Sequence, residues 1–184
     1  MAKKTNENEN EQNNGRVVCL SPKEKDLALT LYKIGIGFAG RNAKETFELH
    51  QDVAKQGWPP AQYNLGCCYL EGIGVKKDPK EAVKWFNKAA EQGHPEAQCR
   101  LGFCYDVGDG VKQDKKEAVK WYREAAANGE VNAQFNLGCC YEDGEGVQQD
   151  KLKAAKYFYK AAIQGDKNAK TALRSLLGND DDEE

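Results

Sequence analysis

The hydrophobic and polar positions repeat along this chain at a fixed offset. AQYNLGCCYLEGIGVKKD is followed by AQCRLGFCYDVGDGVKQD and then AQFNLGCCYEDGEGVQQD, with Gly66, Gly102 and Gly138 each 36 residues apart. The stretches that follow them, KEAVKWFNKAAEQG, KEAVKWYREAAANG and LKAAKYFYKAAIQG, keep the same register. A period of this size marks a stacked array of small supersecondary units, a solenoid. Within a unit, Ala61, Leu65, Cys68 and Tyr69 fall at helical spacing. After a glycine turn, Ala82, Trp85, Phe86, Ala89 and Ala90 form a second apolar face at i, i+3, i+4, i+7 and i+8. Each unit therefore reads as a pair of helices.

The glycines at 66, 102 and 138 lie inside the first helix of each pair, where glycine costs about 1 kcal/mol relative to alanine. Close approach of the partner helix is the expected reason. In the connections GIGVKKDPKE and GDGVKQDKKE, glycines permit positive φ and the valine can plug the core. Asp78 and Asp114 are placed to cap the second helix, with Glu81 and Glu117 three residues on completing a capping box. Pro79 follows at the first helical position, where a missing N–H is harmless. A nucleotide-binding reading of GIGV fails, because no strand precedes it and no GxGxxG spacing or phosphate-loop lysine follows.

The pattern A-x-x-x-L-G-x-x-Y-x-x-G-x-G-V-x-x-D, followed by A-x-x-W-[FY]-x-x-A-A-x-x-G, resembles the Sel1-like repeat (SLR) family, a relative of the tetratricopeptide repeat. Tyr157, where the other units have Trp85 and Trp121, is the main departure. The resemblance implies an all-α, right-handed α-solenoid of antiparallel helix pairs, with units at 58–93, 94–129 and 130–165. The flanks read as imperfect copies. Residues 21–57 form a degenerate N-terminal capping repeat, in which Tyr32, Ile34, Gly35 and Phe38 align with Tyr63, Leu65, Gly66 and Tyr69. Residues 166–178 form a C-terminal capping helix with Arg174 at the glycine position, and 179–184 an acidic tail. Atypical terminal units are expected where stacking stops. Residues 1–20, rich in Asn, Glu and Gln, read as a disordered polar arm.

Composition narrows the function. With 27 basic against 29 acidic residues in 184, the broad positive footprint of a nucleic-acid binder is missing. No uncharged run approaches the roughly 20 residues that span a bilayer, so no membrane insertion is expected. The N-terminus has two lysines but no apolar core behind them, so it does not read as a secretory signal. Together with seven cysteines, an odd number, this favours free thiols in an intracellular, cytoplasmic protein.

Candidate chemistry is sparse. Cys68, Cys104 and Cys140 recur at one phase, as small buried packing residues do, and no C-x-x-C or C-x-x-H spacing offers a zinc site. Ser21 and Ser175, the two serines, sit in no catalytic motif, and His50 and His94 belong to no repeated acid–base cluster. No cofactor, metal or enzymatic activity is expected.

The resemblance to tetratricopeptide repeats implies a binding surface on the first helices, in three rows. These are Tyr63, Cys99 and Phe135; Asn64, Arg100 and Asn136; and Cys67, Phe103 and Cys139. The polar row can hydrogen-bond a peptide and the aromatic neighbours can give it apolar contact. Alternatively, the aromatic rows are buried between units and the polar row alone is free. Lys84, Lys88, Lys120 and Lys156 read as a solvated outer side. The function implied is a monomeric adaptor for a protein or peptide. A cysteine-dependent or hydrolytic enzyme and a self-associating structural array stand as alternatives.

Overall fold

The computed structural model describes residues 42–178, which form eight α-helices and, among the described residues, no strand. They are α1 (Ala43–Lys55), α2 (Pro59–Glu71), α3 (Pro79–Ala90), α4 (Pro95–Val107), α5 (Lys115–Ala127), α6 (Val131–Asp143), α7 (Lys151–Ile163) and α8 (Lys167–Leu176). Each helix packs against the one before and the one after, giving an all-α solenoid of helix pairs. The polar arm, the first part of the N-terminal capping repeat and the acidic tail lie outside the described residues.

The helix interior glycines have the expected tertiary cause, and its agent is a ring. A Cβ on Gly66 would stand 2.5 Å from Phe86, on Gly102 2.8 Å from Tyr122, and on Gly138 2.5 Å from Phe158. All three rings are fully buried, beside Leu65, Leu101 and Leu137. Burial of such side chains supplies about 1.5–3 kcal/mol each.

The two glycines of each connection do different work. Gly72, Gly108 and Gly144 end the first helices in the left-handed conformation, their N–H groups bonding to the carbonyls of Cys68, Cys104 and Cys140. The second glycines pack between units: a Cβ on Gly110 would meet the Pro79 carbonyl oxygen at 2.2 Å, and on Gly146 that of Lys115 at 2.1 Å. Asp78, Asp114 and Asp150 then cap the second helices. The predicted capping boxes form only in half. Glu81 and Glu117 turn away from the cap backbone to Lys84 (2.7 Å) and Lys120 (3.0 Å), because a lysine one turn on competes for the carboxylate.

A feature the pattern left unread is a ladder of buried glutamines. Gln62, Gln98 and Gln134 donate to the carbonyls of Ala54, Ala90 and Ala126 at 3.2–3.5 Å. Each accepts in return from the end of its own unit's second helix, Gln92, Asn128 and Gln164, at 2.7–3.1 Å. One buried side chain thus bonds a carbonyl of the preceding unit and an amide of its own, tying neighbours together and satisfying its own buried polar atoms. Lys115 adds an ionic tie, reaching Asp106 and the next unit's Glu145 at 2.7 Å each.

Candidate functional site

A groove of about 280 Å³ opens along α2, α4 and α6, lined by Tyr63, Glu96, Cys99, Arg100, Phe103, Glu130, Asn132 and Asn136. Five of the nine residues expected on this face meet there. They arrive from three successive units because the 36-residue register places the same helical phase side by side.

Arg100 is half-buried, and its guanidinium interacts with the Tyr63 hydroxyl, which also bonds with Cys67. Burial pushes the Tyr63 phenol up to about 12, so it stays protonated as a donor and acceptor. The Tyr63 ring packs on Phe86 of its own unit (centroids 5.9 Å apart) and stacks on His94 of the next at 5.4 Å. Phe103 is 41% exposed and supplies the open apolar surface of the groove.

The acidic side comes from helix starts. Glu130 caps α6 by accepting from the Ala133 N–H and also accepts from Asn132 Nδ2 at 2.8 Å. Cys99, 8% exposed, directs its thiol to Glu130, and burial followed by that carboxylate's charge raises the thiol far above the ordinary range. Cys99 therefore lines the groove from beneath, with little surface to offer a partner. Glu96 lies 3.3 Å from His94 Nδ1, itself the cap of α4. One groove thus holds a cation, two carboxylates, an exposed aromatic ring and two amides.

The other four expected residues stand outside the groove lining. Phe135 is half-buried against Phe158, centroids 5.7 Å apart, and Asn64, Cys67 and Cys139 are half-buried. The aromatic rows are thus divided: Phe135 packs on its own unit's second helix, Tyr63 packs both on Phe86 of its own unit and on His94 of the next, and Phe103 stays open. Glu96, Glu130 and Asn132 were not among the expected residues, because the three rows were drawn from the middle of each first helix and these lie at its start. Glu130 standing where the aligned positions hold Trp58 and His94 was the available signal.

Among the described residues no group of three His, Cys, Asp or Glu side chains is arranged to hold a metal, and no helix is long and apolar enough to cross a membrane.

The Sel1 repeat family model matches residues 59–94, 95–130 and 131–166, more than half of the sequence. The chain belongs to the Sel1 repeat family. Sel1 repeat proteins are generally protein-interaction scaffolds. Among solved structures, the chain is similar to a protective antigen of uropathogenic Escherichia coli with an SLR fold (38% identity, TM-score 0.74) over 84% of this chain and 33% of that one. It is similar also to a Sel1 repeat protein from Oxalobacter formigenes (36% identity, TM-score 0.77) over 86% and 68%. The Helicobacter pylori cysteine rich protein B shares the fold at 21% identity and TM-score 0.60, over 73% of this chain and all of that one. The Sel1 chain described here thus spans about one third of the E. coli protein's length and about two thirds of the Oxalobacter one. No curated protein matches it.

Proposed function

We propose that this Sel1 repeat chain is a monomeric, non-catalytic scaffold that holds an extended peptide of a partner protein in the groove between its first helices. The observation that carries this reading is the convergence of Tyr63, Arg100, Phe103 and Asn136 from three units on one cavity, with Glu96 and Glu130 at its acidic edge. Arg100 is the group for a backbone carbonyl or carboxylate of the peptide, Phe103 the apolar anchor, and the glutamates the contact for a basic residue. Asn64, Cys67, Phe135 and Cys139 extend the same face beyond the groove.

The thiol chemistry alternative is weaker on physical grounds. Burial raises Cys68, Cys104 and Cys139 to about 11 and Cys140 to about 12, so at neutral pH each is a protonated thiol with little nucleophilic character. The six described cysteines are all free, which supports a reducing, cytoplasmic setting.

Panning a random-peptide display library on the full chain tests the reading. Peptides enriched by the wild type and lost by Arg100→Glu/Phe103→Ala and by Asn136→Glu, with unchanged thermal melts, are expected. Equal enrichment by wild type and both variants sinks the groove as the site.

A further inference from the structure

Three positions on the second helices set α7 apart from its equivalents. Where α3 and its cap carry Lys80, Asn87 and Glu91, and α5 carries Lys116, Arg123 and Ala127, α7 carries Leu152, Tyr159 and Ile163. They are 86%, 57% and 66% exposed. Spacings of seven and four residues at about 100° per residue confine them to one outward stripe, and Lys156 and Lys160 follow beside it on the same exposed sector.

Charge is one-sided here as well. Within α7 and α8 there are seven basic residues, Lys151, Lys153, Lys156, Lys160, Lys167, Lys170 and Arg174, and no acidic one, whereas α3 holds Glu81 and α5 holds Glu117 and Glu124. The two nearby carboxylates are committed as caps, Asp150 to the Lys153 N–H at 3.0 Å and Asp166 to the Ala169 N–H at 2.8 Å.

We propose that the outward face of α7 is a peripheral membrane-binding surface for an anionic bilayer. Leu152, Tyr159 and Ile163 seat at the boundary of headgroups and acyl chains, while Lys156 and Lys160 meet the lipid phosphates. Apolar and basic groups on one exposed helix face are what an interfacial helix requires, and tyrosine suits the headgroup level. A second copy of the chain is a poor occupant, because an isologous pairing of α7 would set lysine against lysine. A protein hot spot needs flanking walls that exclude water, and a leucine as open as Leu152 has none. A fluid lipid layer closes around a protruding side chain without them. Adsorption of this kind is distinct from spanning the bilayer.

Cosedimentation of the full chain with vesicles tests this. Vesicles of phosphatidylcholine with about one-third phosphatidylserine should bind it at least about tenfold more tightly than phosphatidylcholine alone. Replacing the stripe with the residues α3 tolerates at the aligned positions, Leu152→Lys/Tyr159→Asn/Ile163→Glu, leaves net charge unchanged and should weaken binding about tenfold or more. Lys156→Glu/Lys160→Glu should do the same, with both variants matching the wild-type melt. Equal partition to both vesicle types, or unchanged binding by the stripe variant, overturns the proposal. So does binding that emerges only when Asp180, Asp181 and Asp182 become Asn and Glu183 and Glu184 become Gln, which would make the acidic tail the occupant.

Discussion

Phe158 lies so close over Gly138 that a methyl group on the glycine would stand 2.5 Å from ring carbon Cε1. The ring is fully buried and cannot swing to solvent. Gly138→Ala should therefore destabilise the fold by about 1–3 kcal/mol through overpacking, outweighing the roughly 1 kcal/mol that alanine gains in helix propensity. Chemical denaturation checks the sign. Combining it with Phe158→Leu should make the pair less costly than the sum of the two single changes; additive losses would mean the contact is not what constrains residue 138.

Gly146 and Gly165 both have positive φ, +67° and +100°, yet differ in what surrounds them. A Cβ at 146 meets the Lys115 carbonyl oxygen at 2.1 Å, and a backbone atom cannot turn aside; nothing lies within 4 Å at 165. Gly165→Ala should cost only the backbone term of about 1–2 kcal/mol. Gly146→Ala should exceed it clearly, because the clash pries two units apart. Thermal melts of equal depression would argue that the loop does not seat on its neighbour as described.

Gln98 links the Ala90 carbonyl and the Asn128 amide in one buried site. Gln98→Leu keeps volume and apolar contact but leaves the Ala90 carbonyl with the Gly93 N–H as its remaining partner, so the cost is that of one lost hydrogen bond, about 0.5–1.5 kcal/mol. Gln98→Met, equally unable to bond, should behave alike. A variant with wild-type stability would show that the Gly93 N–H alone suffices for that carbonyl and that the glutamine adds nothing.

Burial holds the His50 imidazole down at about 4 against an ordinary 6.5, and lowers His94 by the same cause with Glu96 opposing. His94 Nδ1 also accepts from the Ala97 N–H at 3.3 Å, a bond that protonation there removes. The unfolded chain thus binds more protons than the folded one between about 6.5 and 4. Stability should be flat above that window and fall as pH drops through it. The melting temperature against pH should lose part of this slope in His50→Phe. A slope unchanged by that substitution would assign the pH dependence to other groups.

The repeat itself was legible in the sequence because solenoid units bury the same positions against the same kind of neighbour. A 36-residue offset in Leu65, Leu101 and Leu137 is the direct trace of that packing, and it carried the helix pairs, the aspartate caps and the reason for the interior glycines. The glutamine ladder was equally periodic in Gln62, Gln98 and Gln134, but a polar residue at helical spacing does not announce that it is buried. Only the neighbouring carbonyls, eight residues back in the chain, show that it must be. The binding face was legible as a set of phases and not as a surface. Which members stay open depends on how far each ring reaches toward its partner helix, and that placed Phe103 outside, Phe135 against Phe158, and Cys99 under Glu130. Glu96, four residues before Arg100 on the same helix, shares its face by helical spacing alone. Tertiary structure alone brought Glu130 into the same groove, because a helix start and a helix middle thirty residues apart become neighbours only when the units stack.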